Sequence, residues 1–185
     1  MIERRELLKI FGAALALERQ AAAQHAHGAA SVVDVAGYQP RFFSDREYRV
    51  IDELTEILIP ADDQSPGAHA AGVRLYIDTV LHYDSSGGQQ QWRNGLAAVE
   101  ATAKTQFAHG FLECTGSQKE QVVATMARNE KSPATELERF FAVLKQLTVE
   151  AFTLSDIGMK EYLGYKGGAA IAEFPGCTHP EHQRI

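Results

Sequence analysis

Only two cysteines occur in the 185 residues, Cys114 and Cys177. They are too few for a disulfide scaffold and too far apart for a C-x-x-C site. Positive charge is scarce as well. Lys and Arg number 18 against 24 Asp and Glu, a net charge of −6, and basic residues never run beyond pairs. That balance disfavours a nucleic-acid role. No apolar run approaches the ~20 residues that a bilayer-spanning helix needs. No alternating apolar–polar run is long enough for a strand, and no internal repeat is visible. A glycine fingerprint between strand and helix is missing, so no dinucleotide site can be read. A G-x-S-x-G elbow is missing too. Seven histidines are present, but His25 and His27 lie near the N-terminus, and His69, His82 and His109 sit near predicted helix ends.

What the chain does have is helical periodicity. At 45% hydrophobic, it is one domain's worth of sequence with enough apolar content for a core. Ser44-Asp45-Arg46-Glu47 is a capping box with Phe43 at the staple position, and it predicts a helix running to Ile59. Ile51, Leu54, Ile57 and Leu58 mark its apolar stripe. Pro60 must end it. An acidic, proline-bounded loop, Ala61 to Gly67, turns the chain. A second helix restarts with Val73, Tyr76, Ile77, Val80 and Leu81 inward and ends near Tyr83. The loop between them is expected to set the packing angle of the core.

A third helix is expected over about Gln89 to His109, with Trp92, Leu96, Val99, Ala103 and Phe107 on one face and Gly110 as its stop. Ser117-Gln118-Lys119-Glu120 reads as a second capping box, opening a short helix with Val122, Val123 and Met126 inward. Ser132-Pro133 reads as the start of the last long helix. It carries Leu137, Phe140, Phe141, Leu144, Leu147, Val149 and Phe152, and is the most hydrophobic and the expected centre. Ser155 restarts a short helix ending at Leu163-Gly164. The fold class is all-α, an irregular bundle of about five helices with an extended C-terminal tail over 165–185.

The first 30 residues read as an export signal. Arg4-Arg5 is followed by Leu7-Leu8-Lys9, an apolar stretch from Ile10 to Leu17, and alanine-rich sequence in which cleavage falls between Ala23 and Ala30. The R-R-x-L-L-K spacing is of the twin-arginine type. An amphipathic N-terminal helix is the alternative, since Glu18-Arg19 ends the apolar stretch early. The organisation expected is therefore a signal over 1–30, a linker over 31–43 and a helical domain over 44–185.

Several ordered motifs resemble a known family. They begin with Ile59-Pro60-Ala61-Asp62, Ser65-Pro66-Gly67-Ala68, Ala71-Gly72-Val73 and Ile77-Asp78. Phe140-Phe141-Ala142-Val143-Leu144-Lys145 follows, with Leu147-Thr148 and Phe152. Next come Ser155-Asp156-Ile157-Gly158 and Leu163-Gly164-Tyr165-Lys166-Gly167, then Pro175-Gly176-Cys177-Thr178-His179 with Pro180-Glu181-His182. Together they resemble subunit 3, the small subunit, of gluconate 2-dehydrogenase-type complexes.

The resemblance implies a subunit without chemistry or cofactor of its own. Its partner would be a large flavoprotein of the glucose–methanol–choline type, carrying FAD and oxidising sugars, sugar acids or polyols. In such complexes electrons often pass to a cytochrome c subunit. The small subunit often carries the export signal for both, which agrees with Arg4-Arg5. Periplasmic localisation follows, with the inner membrane reached through the complex.

An oxidising compartment makes cysteine pairing an expectation. Cys114–Cys177 within the chain and Cys177 to the large subunit both stay open. The expected partner interface comprises Asp62, Tyr162, Tyr165, Phe174, Cys177 and His179, because aromatics are favoured as buried interface anchors. A different class of reading is a stand-alone helical metalloprotein. It would hold zinc through Cys177, His179 and His182, with Cys114 or His109 as a fourth ligand.

Overall fold

The computed structural model describes residues 37–63 and 65–166. The chain divides into two compact units, Met1–Tyr38 and Gln39–Ile185. All but the last two residues of the first unit lie outside the described residues, and the expected export signal with them. So does the sequence from 167 onward.

The described part of the second unit is all-helical. Helix α1 (Asp45–Leu58) opens on the expected capping box. Ser44 Oγ accepts from the Glu47 amide, and the Glu47 carboxylate accepts from the Ser44 amide at 2.8 Å. The helix buries Tyr48, Val50, Ile51, Leu54 and Thr55 and stops at Leu58, ahead of Pro60.

The polar turn that follows is tied back onto α1. The Glu56 carboxylate accepts from the amides of Ala61 and His69, at 3.0 and 2.7 Å. Asp62 Oδ1 accepts from the Ser65 amide at 2.7 Å, and the Ala68 amide donates to Ile59 O. Gly67 has φ 80°, and a Cβ there would lie 2.6 Å from the Ala61 nitrogen. Only glycine lets the chain close this tightly. A single helical turn, α2 (Gly67–Ala70), leads into α3 (Val73–His82).

Helix α4 (Ser86–Phe107) starts earlier than Gln89, because Ser85 Oγ accepts from the Gly88 amide at 3.2 Å and caps it there. It ends on Ala108, at φ 65°, rather than on Gly110. A 3₁₀ turn (Phe111–Glu113) buries Phe111 completely. Helix α5 (Gly116–Met126) is capped by Thr115 with Gln118, not by Ser117 with Glu120. Helix α6 (Glu136–Leu154) is capped by Thr135 with Glu138, three residues beyond Ser132. A π-helical turn (Gly158–Tyr162) closes the described chain. Five helices of substance thus form the bundle, as expected, with no strand among the described residues.

Helix α6 is the centre. It packs against α1, α3, α4, α5 and the π turn. Phe140, Phe141, Leu144, Thr148, Ala151 and Phe152 face inward. Trp92 of α4 meets Phe140 edge-on at 5.3 Å between centroids. Each large apolar side chain so buried stabilises the fold by roughly 1.5–3 kcal/mol. The Thr148 hydroxyl donates to Leu144 O at 2.7 Å, so its burial leaves no orphan donor. Two expected core positions, Val149 and Val80, are exposed, and Ile57, Leu58, Tyr76, Phe107, Leu137 and Leu147 are only half-buried. Neighbouring positions on each helix already fill the space facing the bundle.

The α6 cap makes stability depend on pH. The Glu138 carboxylate accepts from the amides of Ala134 and Thr135 and from Asn129 Nδ2. The two amides do most to hold its pKa below the ordinary value of 4.5. A carboxylate with a depressed folded pKa contributes stability that is fully present above its unfolded value and is lost as pH falls through the folded one. Urea midpoints followed from pH 6 down to pH 3 should therefore decline in the acid range. Glu138→Gln should be less stable at pH 6 and show a shallower decline. An unchanged slope in that variant would remove Glu138 from the acid response.

Candidate functional site

Three features of the helical body stand out. The first is a strap, Arg41–Phe43, held by one buried carboxylate. Asp78 sits on the otherwise apolar face of α3 and is fully buried. Its Oδ2 accepts from the Arg41 amide at 2.8 Å, and its Oδ1 from the amides of Phe42 and Phe43 at 3.1 and 2.9 Å. Three converging N–H groups are what make a buried carboxylate tolerable. Arg93 of α4 clamps the other side. It donates to Phe42 O at 2.7 Å, stacks over the Phe42 ring and pairs with Glu47. Burial pushes the Glu47 carboxyl upward, but hydrogen bonds from Arg93 and Ser44 outweigh it and leave the pKa below the ordinary value.

The strap was not expected from the sequence, where 31–43 reads as a linker. The only local signal is an Asp next to Ile77 on a buried helix face.

The second feature is the acidic side of the α1–α3 turn. Asp52 accepts from His69 Nδ1 at 2.8 Å and from Arg74, which itself lies over the Tyr48 ring. Asp62 stands exposed in the turn and caps it through Ser65. These carboxylates order the connection.

The third feature is the exposed apolar surface at the carboxyl end of α6 and along the π turn. Tyr162 and Tyr165, expected at an interface, are 61% and 51% exposed. The Tyr162 ring stands edge-on to buried Phe152 at 5.9 Å. Val149, Leu154 and Leu163 are exposed beside them in sequence. Of these three, Val149 was expected in the core because it shares the helical stripe pattern of true core positions; Leu154 and Leu163 were not expected at a surface site. Tyr76 Oη donates to Glu150 at 2.9 Å and ties α3 to this part of α6. The hydrogen bond to the Glu150 carboxylate needs the phenol protonated and so favours its neutral form, which raises the Tyr76 pKa.

The remaining expected site residues divide simply. Arg4, Arg5, Phe174, Cys177, His179 and His182 lie outside the described residues. Cys114 is a free, buried thiol beside the 3₁₀ turn. It donates to Gly110 O at 3.4 Å, and burial pushes its pKa up. The His109 ring stacks with Phe107. Among the described residues no group of three His, Cys, Asp or Glu is placed to hold a metal.

A shallow cavity of about 180 Å³ lies between α1 and α4, lined by Arg46, Glu47, Val50, Arg93, Leu96 and Glu100. Its charges already serve the fold. Arg46 pairs with Glu113 and Glu100, and Arg93 with Glu47. No helix among the described residues is long and apolar enough to cross a membrane.

Comparison with known proteins gives one family. The sequence profile described as Gluconate 2-dehydrogenase subunit 3 matches residues 45–170. No curated protein and no solved structure matches the chain.

Proposed function

The chain belongs to the gluconate 2-dehydrogenase subunit 3 family, and from that premise we propose that it is the non-catalytic small subunit of a periplasmic FAD-dependent sugar or polyol dehydrogenase. The observation that carries this reading is the extent of the family match, which takes in every helix from α1 to the π turn. Its role is to guide export and to support folding and stability of the large catalytic flavoprotein. FAD and the substrate pocket belong to that partner. The Arg4-Arg5 leader takes both subunits out together as a folded pair.

Two features of the described chain support an accessory role. Its polar clusters at Asp52, Glu56, Asp78 and Arg93 are engaged in holding helices and connections together. Two of the three exposed tyrosines among the described residues, Tyr162 and Tyr165, lie close together in sequence after α6. Because Cys114 is buried and bonded to Gly110 O, Cys177 is the cysteine proposed to pair with the large subunit.

The test is co-expression of the proposed FAD-binding large subunit, a glucose–methanol–choline-type flavoprotein from the same genome, with and without this chain. Periplasmic dehydrogenase activity should fall at least about tenfold without it, a loss worth ~1.4 kcal/mol or more if read as an equilibrium. Lys substitutions at Arg4 and Arg5 should strand the flavoprotein in the cytoplasm. On a non-reducing gel the pair should migrate as a heterodimer. Full periplasmic activity of the flavoprotein alone would end the proposal.

A further inference from the structure

The polar hold on the strap Arg41–Phe43 comes together at two side chains from other helices. Asp78 of α3 takes the amides of Arg41, Phe42 and Phe43, and Arg93 of α4 donates to the Phe42 carbonyl. A carboxylate has about four acceptor positions, so one group can serve three donors at once. Three successive residues share it, and a shift that takes one amide away pulls on the other two. The strap is therefore held or released as a unit.

The structure on either side does not need the strap in place. Ser44 and Glu47 close the start of α1 with their own capping box. A break between Phe43 and Ser44 leaves that helix capped. The centre of the body is α6, packed against α1, α3, α4 and α5. Trp92 meets Phe140 of α6 edge-on, so it stays seated on that side when Phe43 leaves. No charge is stranded either. Arg93 keeps its pairing with Glu47, and Asp78 and the three amides meet water together once the strap lifts. Segments with these properties open locally, at a lower free energy than the whole fold.

We propose that the strap is a two-state latch, closed as seen here and open with the helical body intact, with Asp78 and Arg93 as its catch. The latch changes where the chain leaves the body. Closed, it leaves at Arg41; open, it leaves at Ser44. At about 3.3–3.6 Å per extended residue, opening adds ~10 Å to the reach of the chain before the strap. The first compact unit ends at Tyr38, so the latch sets how much free chain follows it. Opening also uncovers the side of Trp92 that faces Phe43, 6.2 Å away between ring centroids. A latch of this kind does not depend on the small-subunit reading.

The experiment is amide hydrogen exchange on the full chain, followed residue by residue by NMR, without and with low urea. The amides of Arg41, Phe42 and Phe43 should share one protection factor, at least about tenfold below that of the α6 amides of Leu144 and Thr148. That factor should hardly change with urea, because opening exposes little surface, while protection in α6 falls steeply. Arg93→Gln acts on the Phe42 carbonyl, yet it should lower all three strap protections by one common factor of about threefold or more. Asp78→Ala should lower them at least about a hundredfold, with the helix content by far-UV circular dichroism unchanged.

Strap amides with the protection and urea slope of α6 would overturn the latch, because they open only when everything unfolds. Strap amides unprotected in the natural chain would remove its closed state. Unequal responses of the three amides to Arg93→Gln would show that they do not move as one. Loss of helix in Asp78→Ala would show that the body cannot stand with the strap open.

Discussion

Asp78→Ala is expected to lower the unfolding free energy by about 3–5 kcal/mol, one of the largest losses available outside the apolar core. The side chain is fully buried and accepts three amide N–H groups from the strap. A hydrogen bond to a charged group contributes ~1.5–3 kcal/mol, and a buried donor left without an acceptor costs ~1–3. The simple sum is larger than the expectation, because the strap can peel away and hydrate its amides. Peeling has its own cost. It pulls Phe43, 4% exposed, out of the core and away from Trp92, 6.2 Å distant between ring centroids.

The single tryptophan makes this measurable. Urea unfolding followed by Trp92 fluorescence should show both a lower midpoint and a shifted native signal. Asp78→Asn keeps an acceptor for two of the amides but turns an N–H₂ towards the third, so its loss should be about 2 kcal/mol. A loss under ~1 kcal/mol in the alanine variant would mean that the strap is held by Arg93 and the Phe43 contact alone.

Gly95→Ala gives the second large effect, and here two principles predict opposite signs. In the middle of a helix, alanine is better than glycine by roughly 1 kcal/mol. At this position a Cβ would lie 2.7 Å from Phe140 Cβ and overlap the ring at Cγ and Cδ2. Phe140 is fully buried, and Trp92 blocks another edge of its ring. Overpacking a closed core costs ~1–3 kcal/mol and occasionally more. Packing should win, giving a net loss of about 2 kcal/mol in urea unfolding.

Phe140→Leu alone should also destabilise, by leaving a cavity and removing the edge-on contact. The combination Gly95→Ala/Phe140→Leu should recover part of the loss, with a coupling of about 1 kcal/mol or more in a double-mutant cycle. Strict additivity would show that α4 and α6 can separate to admit the extra carbon, against the close approach seen here.

These two residues show where local pattern stops being informative. Asp78 reads as a polar interruption in an apolar stripe, and its partners lie 35 to 37 residues upstream. Gly95 reads as a weak point in α4, and its reason lies on α6. The helix caps show a milder form of the same limit. Ser117–Glu120 and Thr115–Gln118 obey the same three-residue rule, and only the second is formed. Thr135 prevails over Ser132 where Glu138 also serves the Ala134 amide and Asn129. Val149 and Phe152 both belong to the apolar pattern of α6, yet only Phe152 has a neighbour to bury against.

The amino-acid sequence by itself determined the all-helical class, the five principal helices and the break at Pro60, because helical periodicity and proline's missing N–H act within a few residues. The family resemblance was legible for the same reason, as an ordered set of short motifs. The three-dimensional packing alone decided which carboxylate holds the strap, which cap closes each helix, and which apolar residues stay in water. Those outcomes depend on groups brought together across tens of residues, where a side chain's environment is set by what folds against it.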